Sequence, residues 1–279
     1  MWLQKLDVAV LLVLVVVPVV CVAVDFLPVE VKFGLLSRGD TLDFARFLSA
    51  TFVHADFTHL FSNVAGFLLV GVFLFLLAKK CGVQRFLLAS LLWVLFGMPL
   101  LYGVVVWFFS DVAFGGVLSG FGCGLSLVVG GLAGLILPLL VLLFYSELGS
   151  SENRWRLFLG LFLLAGSLMI FNYVGASVFY WMVFAGLFVG GFGFLAWSFC
   201  RVIGVSGWKI NWTLKAKFVW VVWVVFGLLL HIFCLVALFP AEIFMPGGRV
   251  NIFAHYFGVA FGALVPQLGF SFVGDKSLN

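Results

Sequence analysis

Charge is the scarcest property of this chain. Charged side chains make up 9% of its 279 residues, against about 25% in an average soluble domain. That shortage excludes an ordinary water-soluble surface. Dense Lys/Arg tracts interleaved with exposed aromatics are missing as well. The formal net charge of +4 therefore reads as anchoring at a membrane face, and no nucleic-acid partner is expected. The five cysteines, at positions 21, 81, 123, 200 and 234, form no CxxC pair. Zinc spacing and a disulfide framework are both disfavoured on that ground, and neither a metal nor a cofactor is expected. No long polar linker divides the chain, so 1–279 reads as a single domain. No internal repeat of the inverted-repeat transporter kind is visible.

What fills the chain instead is apolar: 65% of its residues are hydrophobic and the mean hydropathy is +1.29. Long apolar runs extend from Val8 to Val24, Phe57 to Ala78, Phe86 to Phe109, Val112 to Tyr145, Leu157 to Phe171, Val178 to Cys200, Phe218 to Phe239 and Ile252 to Phe270. Several approach the ~20 residues that cross about 30 Å of hydrocarbon as a helix. The expectation is an all-α polytopic membrane protein with eight spans. Placing both termini in the cytoplasm puts 11 of the 15 basic residues on the cytoplasmic side and leaves only Lys32, Arg38, Arg46 and Arg249 outside. This is the positive-inside distribution. One run is too long for its role. Val112 to Tyr145 is 34 residues, about 51 Å as one helix, so it must tilt, project or break, with Gly130, Gly131, Gly134 and Pro138 as candidate break points.

Polar residues inside spans are costly and are functional candidates for that reason. Here they are few. His59 and Asn63 are four apart on the second span and share one helical face, with His54 just before them. Ser119 lies in a run where Gly116, Gly120 and Gly124 recur every four residues. On a helix these would form a bare face for close approach. His255 precedes Gly258 and Gly262, a second smooth face. Counting from the polar residues Asp111 and Arg249 places Ser119 and His255 about 9 to 12 Å below the external boundary, in one layer. His231, on an outward-running span, reaches a similar depth without a comparable motif.

These three motifs, His54-x4-His59-x3-Asn63 preceded by Arg46, Leu118-Ser119-Gly120, and His255-x2-Gly258-x3-Gly262, resemble those of the rhomboid family of intramembrane serine proteases, including its archaeal-type members. The resemblance is strongest from about Arg46 to Ser126 and in the last span. It implies a rhomboid-like helical bundle in the cell membrane, with two extra spans between the serine and histidine motifs. An even number of insertions keeps Ser119 and His255 at matching depth. This chain departs from the family at Val117, where a glycine is usual, and at Cys123, where an aromatic is usual. Support for the imidazole must then come from elsewhere, with Tyr256 and Phe257 as candidates.

The resemblance further implies an endopeptidase with a Ser119–His255 dyad. A separate acidic orienter is not part of that scheme, and Asp56 is not read as the third member of a triad. His255 takes the serine proton during attack on a scissile carbonyl and returns it to the leaving amine. His59 and Asn63 are placed at the oxyanion, and His54 and Arg46 at the external mouth. The implied substrates are transmembrane proteins entering laterally from the surrounding lipid. Two other readings remain open on the sequence. One is a catalytically inactive rhomboid-like protein that binds membrane clients. The other is a transporter, which would require an ionisable path across both leaflets.

Overall fold

The structure, a computed structural model, describes residues 2–39, 41–109, 121–122, 124–148, 154–171, 173, 177–206, 214–239, 244–245, 248–249 and 252–272. In hydrocarbon no water satisfies backbone groups, so apolar segments close their hydrogen bonds as helices. The helices are α1 (Trp2–Asp25), the short α2 (Val29–Leu35) and α3 (Phe44–Ser49), and α4 (Phe57–Cys81). Next, α5 (Gln84–Leu92) runs through a π-helical stretch, Trp93–Gly97, into α6 (Met98–Trp107). The rest are α7 (Ser126–Leu148), α8 (Arg154–Phe171), α9 (Val178–Ser206), α10 (Leu214–Leu238) and α11 (Ile252–Phe272). Two small antiparallel pairs join loops: β1 (Ser37–Arg38) with β2 (Phe121–Gly122), and β3 (Phe244–Met245) with β4 (Gly248–Arg249).

Among the described residues, six helices are long and apolar enough to cross a membrane: Lys5–Asp25, Phe57–Cys81, Gln84–Trp107, Ser126–Phe144, Val178–Ser198 and Val221–Leu238. Trp155–Phe171 and Ile252–Val265 are shorter apolar helices. The chain is an all-α, multi-pass membrane protein. Its outer surface agrees with that setting, since α9 exposes Val178, Phe179, Trp181, Met182, Val189 and Phe192.

α7 is the central helix, buried along nearly its whole length. α11 lies parallel to it at backbone contact. A methyl group built on Gly258 would sit 2.5 Å from the Leu127 carbonyl oxygen, and one on Gly134 would sit 2.8 Å from the Ala263 nitrogen. One built on Gly262 would collide with the Gly131 carbonyl. α4 also runs parallel to α7, with Gly66 against Val129 near its start. α10 runs the other way: His231 Nδ1–H donates to the Ala133 carbonyl at 2.9 Å, and Gly227 packs on Leu140. His231 thus acts as a cross-link between α10 and α7. The carbonyl it uses is one residue from Gly134, whose own carbonyl is left without its usual donor by Pro138. α1 is antiparallel to α4, as the Lys79–Asp7 ion pair at 2.9 Å and the contact of Leu14 with Gly71 require. α8 and α9 form an antiparallel hairpin through Gly160 and Gly191. The N-termini of α4, α7 and α11 and the C-terminal end of α10 consequently meet at one end of the bundle.

The expectation for Val112 to Tyr145 needs correction. Gly130, Gly131, Gly134 and Pro138 are not break points, since α7 is continuous across them. The interruption comes earlier: Phe121–Gly122 is extended, and Gly124 has φ +103°, which a right-handed helix of L-residues does not take. Gly124 is therefore not on a helical face with Gly116 and Gly120, which lie outside the described residues. The glycines that meet Gly258 and Gly262 are Gly130, Gly131 and Gly134.

Candidate intramembrane site

The site is built where those helix ends converge. α4 starts at Phe57 because Asp56 caps it, its carboxylate accepting from the His59 backbone N–H at 2.7 Å. The cap sets His59 in the first turn. Asn63, one turn deeper and buried, donates through Nδ2 to the His59 carbonyl at 3.0 Å. An amide nitrogen carries two hydrogens, so one donor of Asn63 is unused among the described residues. His54 lies before the cap, with its ring edge-on to His59 at a centroid distance of 5.2 Å.

The chain just after Ser119 is tied to this corner at three points. Phe121 and Gly122 pair with Arg38 and Ser37, and Ser37 Oγ donates to the Gly122 carbonyl at 3.3 Å. The Gly124 N–H donates to the Ala50 carbonyl at 2.9 Å. The Leu125 N–H donates to His54 Nε2 at 3.3 Å in a buried contact. The connection between α1 and α4 thereby holds the peptide segment leading into α7. Gly124 is required there twice over, since a methyl group on it would lie 2.8 Å from His59 Cε1 and 3.7 Å from Asn63 Nδ2, on a left-handed backbone. Gly124→Ala is expected to cost about 1–2 kcal/mol from backbone conformation alone. It should also displace His59, so the thermal unfolding midpoint falls further than backbone conformation alone predicts. Melting curves of the native and substituted proteins check this.

Burial, and then the adjacent His59, hold the His54 imidazole below its ordinary value of 6.5, at about 4. His54 is therefore neutral at neutral pH, as its role as acceptor for Leu125 N–H demands. Because the folded value is depressed, its contribution to stability is complete above about pH 6.5 and is lost as pH falls towards about 4. His54→Gln keeps an acceptor that does not titrate. Its unfolding midpoint should fall less steeply than that of the native protein between about pH 7 and about pH 4.5.

His255 is on the first turn of α11, buried, with its backbone carbonyl against Gly130 of α7. Its Nδ1–H donates to the main-chain carbonyl of Leu238, the last residue of α10. A carbonyl can only accept, so Nδ1 carries a proton and Nε2 is the basic nitrogen of the neutral ring. The Phe239 ring meets the imidazole edge-to-face at 6.0 Å and 86°.

The residues singled out in the sequence divide as follows. His54, His59, Asn63 and Gly124 form one cluster, and His255, Gly258 and Gly262 pack against α7 beside it. Ser119, Gly116, Gly120, Val117 and Cys123 lie outside the described residues. Arg46 forms an ion pair with Asp43 at 3.2 Å within the α3 cap, which gives it a local structural partner. The Tyr256 hydroxyl donates to the Met169 carbonyl at 2.9 Å, and its ring packs on Phe239 at 4.5 Å. Phe257 packs on Tyr102 and Phe261. Leu238, Phe239 and Ser37 were not singled out by sequence reasoning, and the α7 glycines were read there only as break points. The available signals were Pro240, which disfavours helix at Phe239, and the spacing Gly130-x3-Gly134. No protein-family model, curated protein or solved structure matches the chain.

Proposed function

We propose that this chain is a rhomboid-like intramembrane serine endopeptidase of the cell membrane that cleaves transmembrane substrates near the outer leaflet with a Ser119–His255 dyad. The observation that carries the reading is the buried His255 imidazole. Its Nδ1–H is engaged by Leu238, and its basic Nε2 sits at the helix end where the segment following Ser119 is tied down. A general base needs one nitrogen oriented and the other free, and this arrangement supplies both. His59 and Asn63 sit beside that segment, where donors to a tetrahedral oxyanion are needed. An eight-span topology with both termini cytoplasmic is part of the proposal. The alternating directions of the packed helices and the placement of 11 of the 15 basic residues support it.

In the proposed reaction His255 Nε2 accepts the Ser119 hydroxyl proton as Oγ attacks the scissile carbonyl. The resulting imidazolium gives that proton to the departing amine, and water hydrolyses the acyl-enzyme through the same base. Substrates enter laterally from the lipid, and a locally unwound segment is the form in which a peptide bond becomes reachable. The test is cleavage of a panel of reporter membrane segments in reconstituted vesicles, comparing native protein with Ser119→Ala. Cleavage only by the native protein supports the reading. Equal cleavage by both rejects the dyad, and binding without cleavage by the native protein favours a client-binding role.

A further inference from the structure

We infer that the C-terminal end of α10 orients the catalytic base: the Leu238 main-chain carbonyl, backed by the Phe239 ring, takes the place that an acidic side chain fills in a serine–histidine–aspartate triad. The inference rests on the proposed function and assigns this end of α10 a part in it. A histidine base needs its second nitrogen held by an acceptor, which fixes the tautomer and the ring plane. In a membrane interior a carboxylate in that role would carry a heavy desolvation cost. The last carbonyls of a helix avoid it. They lack intrahelical donors, and they carry the partial negative charge of the helix dipole without a net ion.

The chain directs one such carbonyl at His255. Pro240 biases Phe239 out of the helical region, and α10 ends at Leu238. The Phe239 N–H still donates to the Leu235 carbonyl at 3.0 Å, so the final turn is held and the Leu238 carbonyl is free to accept from His255. Phe239 is 1% exposed and packs edge-to-face with the ring. Phe239 is braced in turn by Tyr256, whose hydroxyl is anchored on Met169 at the end of α8. The imidazole is thus set by the ends of two helices, α8 and α10, that lie between the serine and histidine motifs in the chain.

Three measurements on the full-length protein in vesicles test this. Replacing the 238–239 peptide bond by an ester, with the α-hydroxy acid analogue of phenylalanine at Phe239, weakens the Leu238 carbonyl as an acceptor. It should lower kcat about tenfold with KM little changed. The same ester one bond earlier leaves that carbonyl an amide and should have little effect. Phe239→Leu should lower kcat roughly 10- to 100-fold, and Phe239→Tyr should restore it. Nitrogen-15 spectra of histidine-labelled protein, assigned with His255→Gln, should show His255 protonated on Nδ1. A native protein that cleaves its reporter but carries the proton on Nε2, or whose kcat is indifferent to the 238–239 ester, overturns the orienting role and leaves the dyad standing. A native protein that cleaves no reporter overturns the proposed function and this inference with it.

Discussion

His255→Ala is expected to reduce kcat for reporter cleavage by about a millionfold, with reporter binding and folding retained. The size follows from the geometry of the imidazole. Nδ1 is committed to Leu238, so Nε2 is the single nitrogen able to take a serine proton. The ring is buried, so a stray water is poorly placed to substitute for it. Ser119→Ala should cost a similar factor, and the double variant should be no worse than either single one, because in the proposed dyad nucleophile and base act as a unit. Asn63→Ala removes a donor and leaves the base intact, so its loss should be smaller, about 10²–10³ in kcat. Active-site titration with a serine-directed phosphonylating probe alongside turnover separates these cases. Undiminished labelling in His255→Ala would contradict the assignment of the base.

The second large effect concerns packing. Gly262→Ala should destabilise the protein by on the order of 3 kcal/mol, a cost at the upper end for inserting a methylene into a filled core. The new methyl group would run into backbone at Gly131, with the Gly131 Cα 2.6 Å away. A flexible side chain could swing aside, but a helical backbone moves only with its whole helix. α11 and α7 must then separate, and His255 moves with α11. Gly186→Ala is the control, since among the described residues nothing lies within 4 Å of a methyl group there. Unfolding in mixed micelles should show a large drop in midpoint for Gly262→Ala and almost none for Gly186→Ala. Equal midpoints would mean that the two helices are not in backbone contact.

Both expectations draw on features that were unevenly legible in the sequence. The helical, multi-pass architecture was plain, because hydrophobic runs of that length admit one backbone solution in hydrocarbon. The sharing of a face by His59 and Asn63 was also legible, since it depends only on helical period. Gly258 and Gly262 announced a close approach but not their partner. Gly116, Gly120 and Gly124 have the same four-residue spacing as a packing face. A period of four says nothing about whether the backbone is helical, and Gly124 is left-handed. The long run from Val112 was misleading for the same reason. Apolar composition does not register that residues 121–122 pair edge-to-edge with Ser37 and Arg38. Tyr256 and Arg46 carry side chains suited to a site, yet their polar groups are taken up by Met169 and Asp43.

The sequence by itself determined that this chain lives in a membrane, that its long apolar runs are mostly helical there, and which few polar side chains bear the cost of being inside. Those properties follow from local composition, because transfer to hydrocarbon is scored residue by residue. Tertiary structure alone decided which glycines meet, which strand steadies the chain beyond Ser119, and what holds the second nitrogen of His255. Each depends on contacts between segments far apart in the chain, and the last is made by a main-chain carbonyl, a group every residue possesses and no sequence pattern can single out.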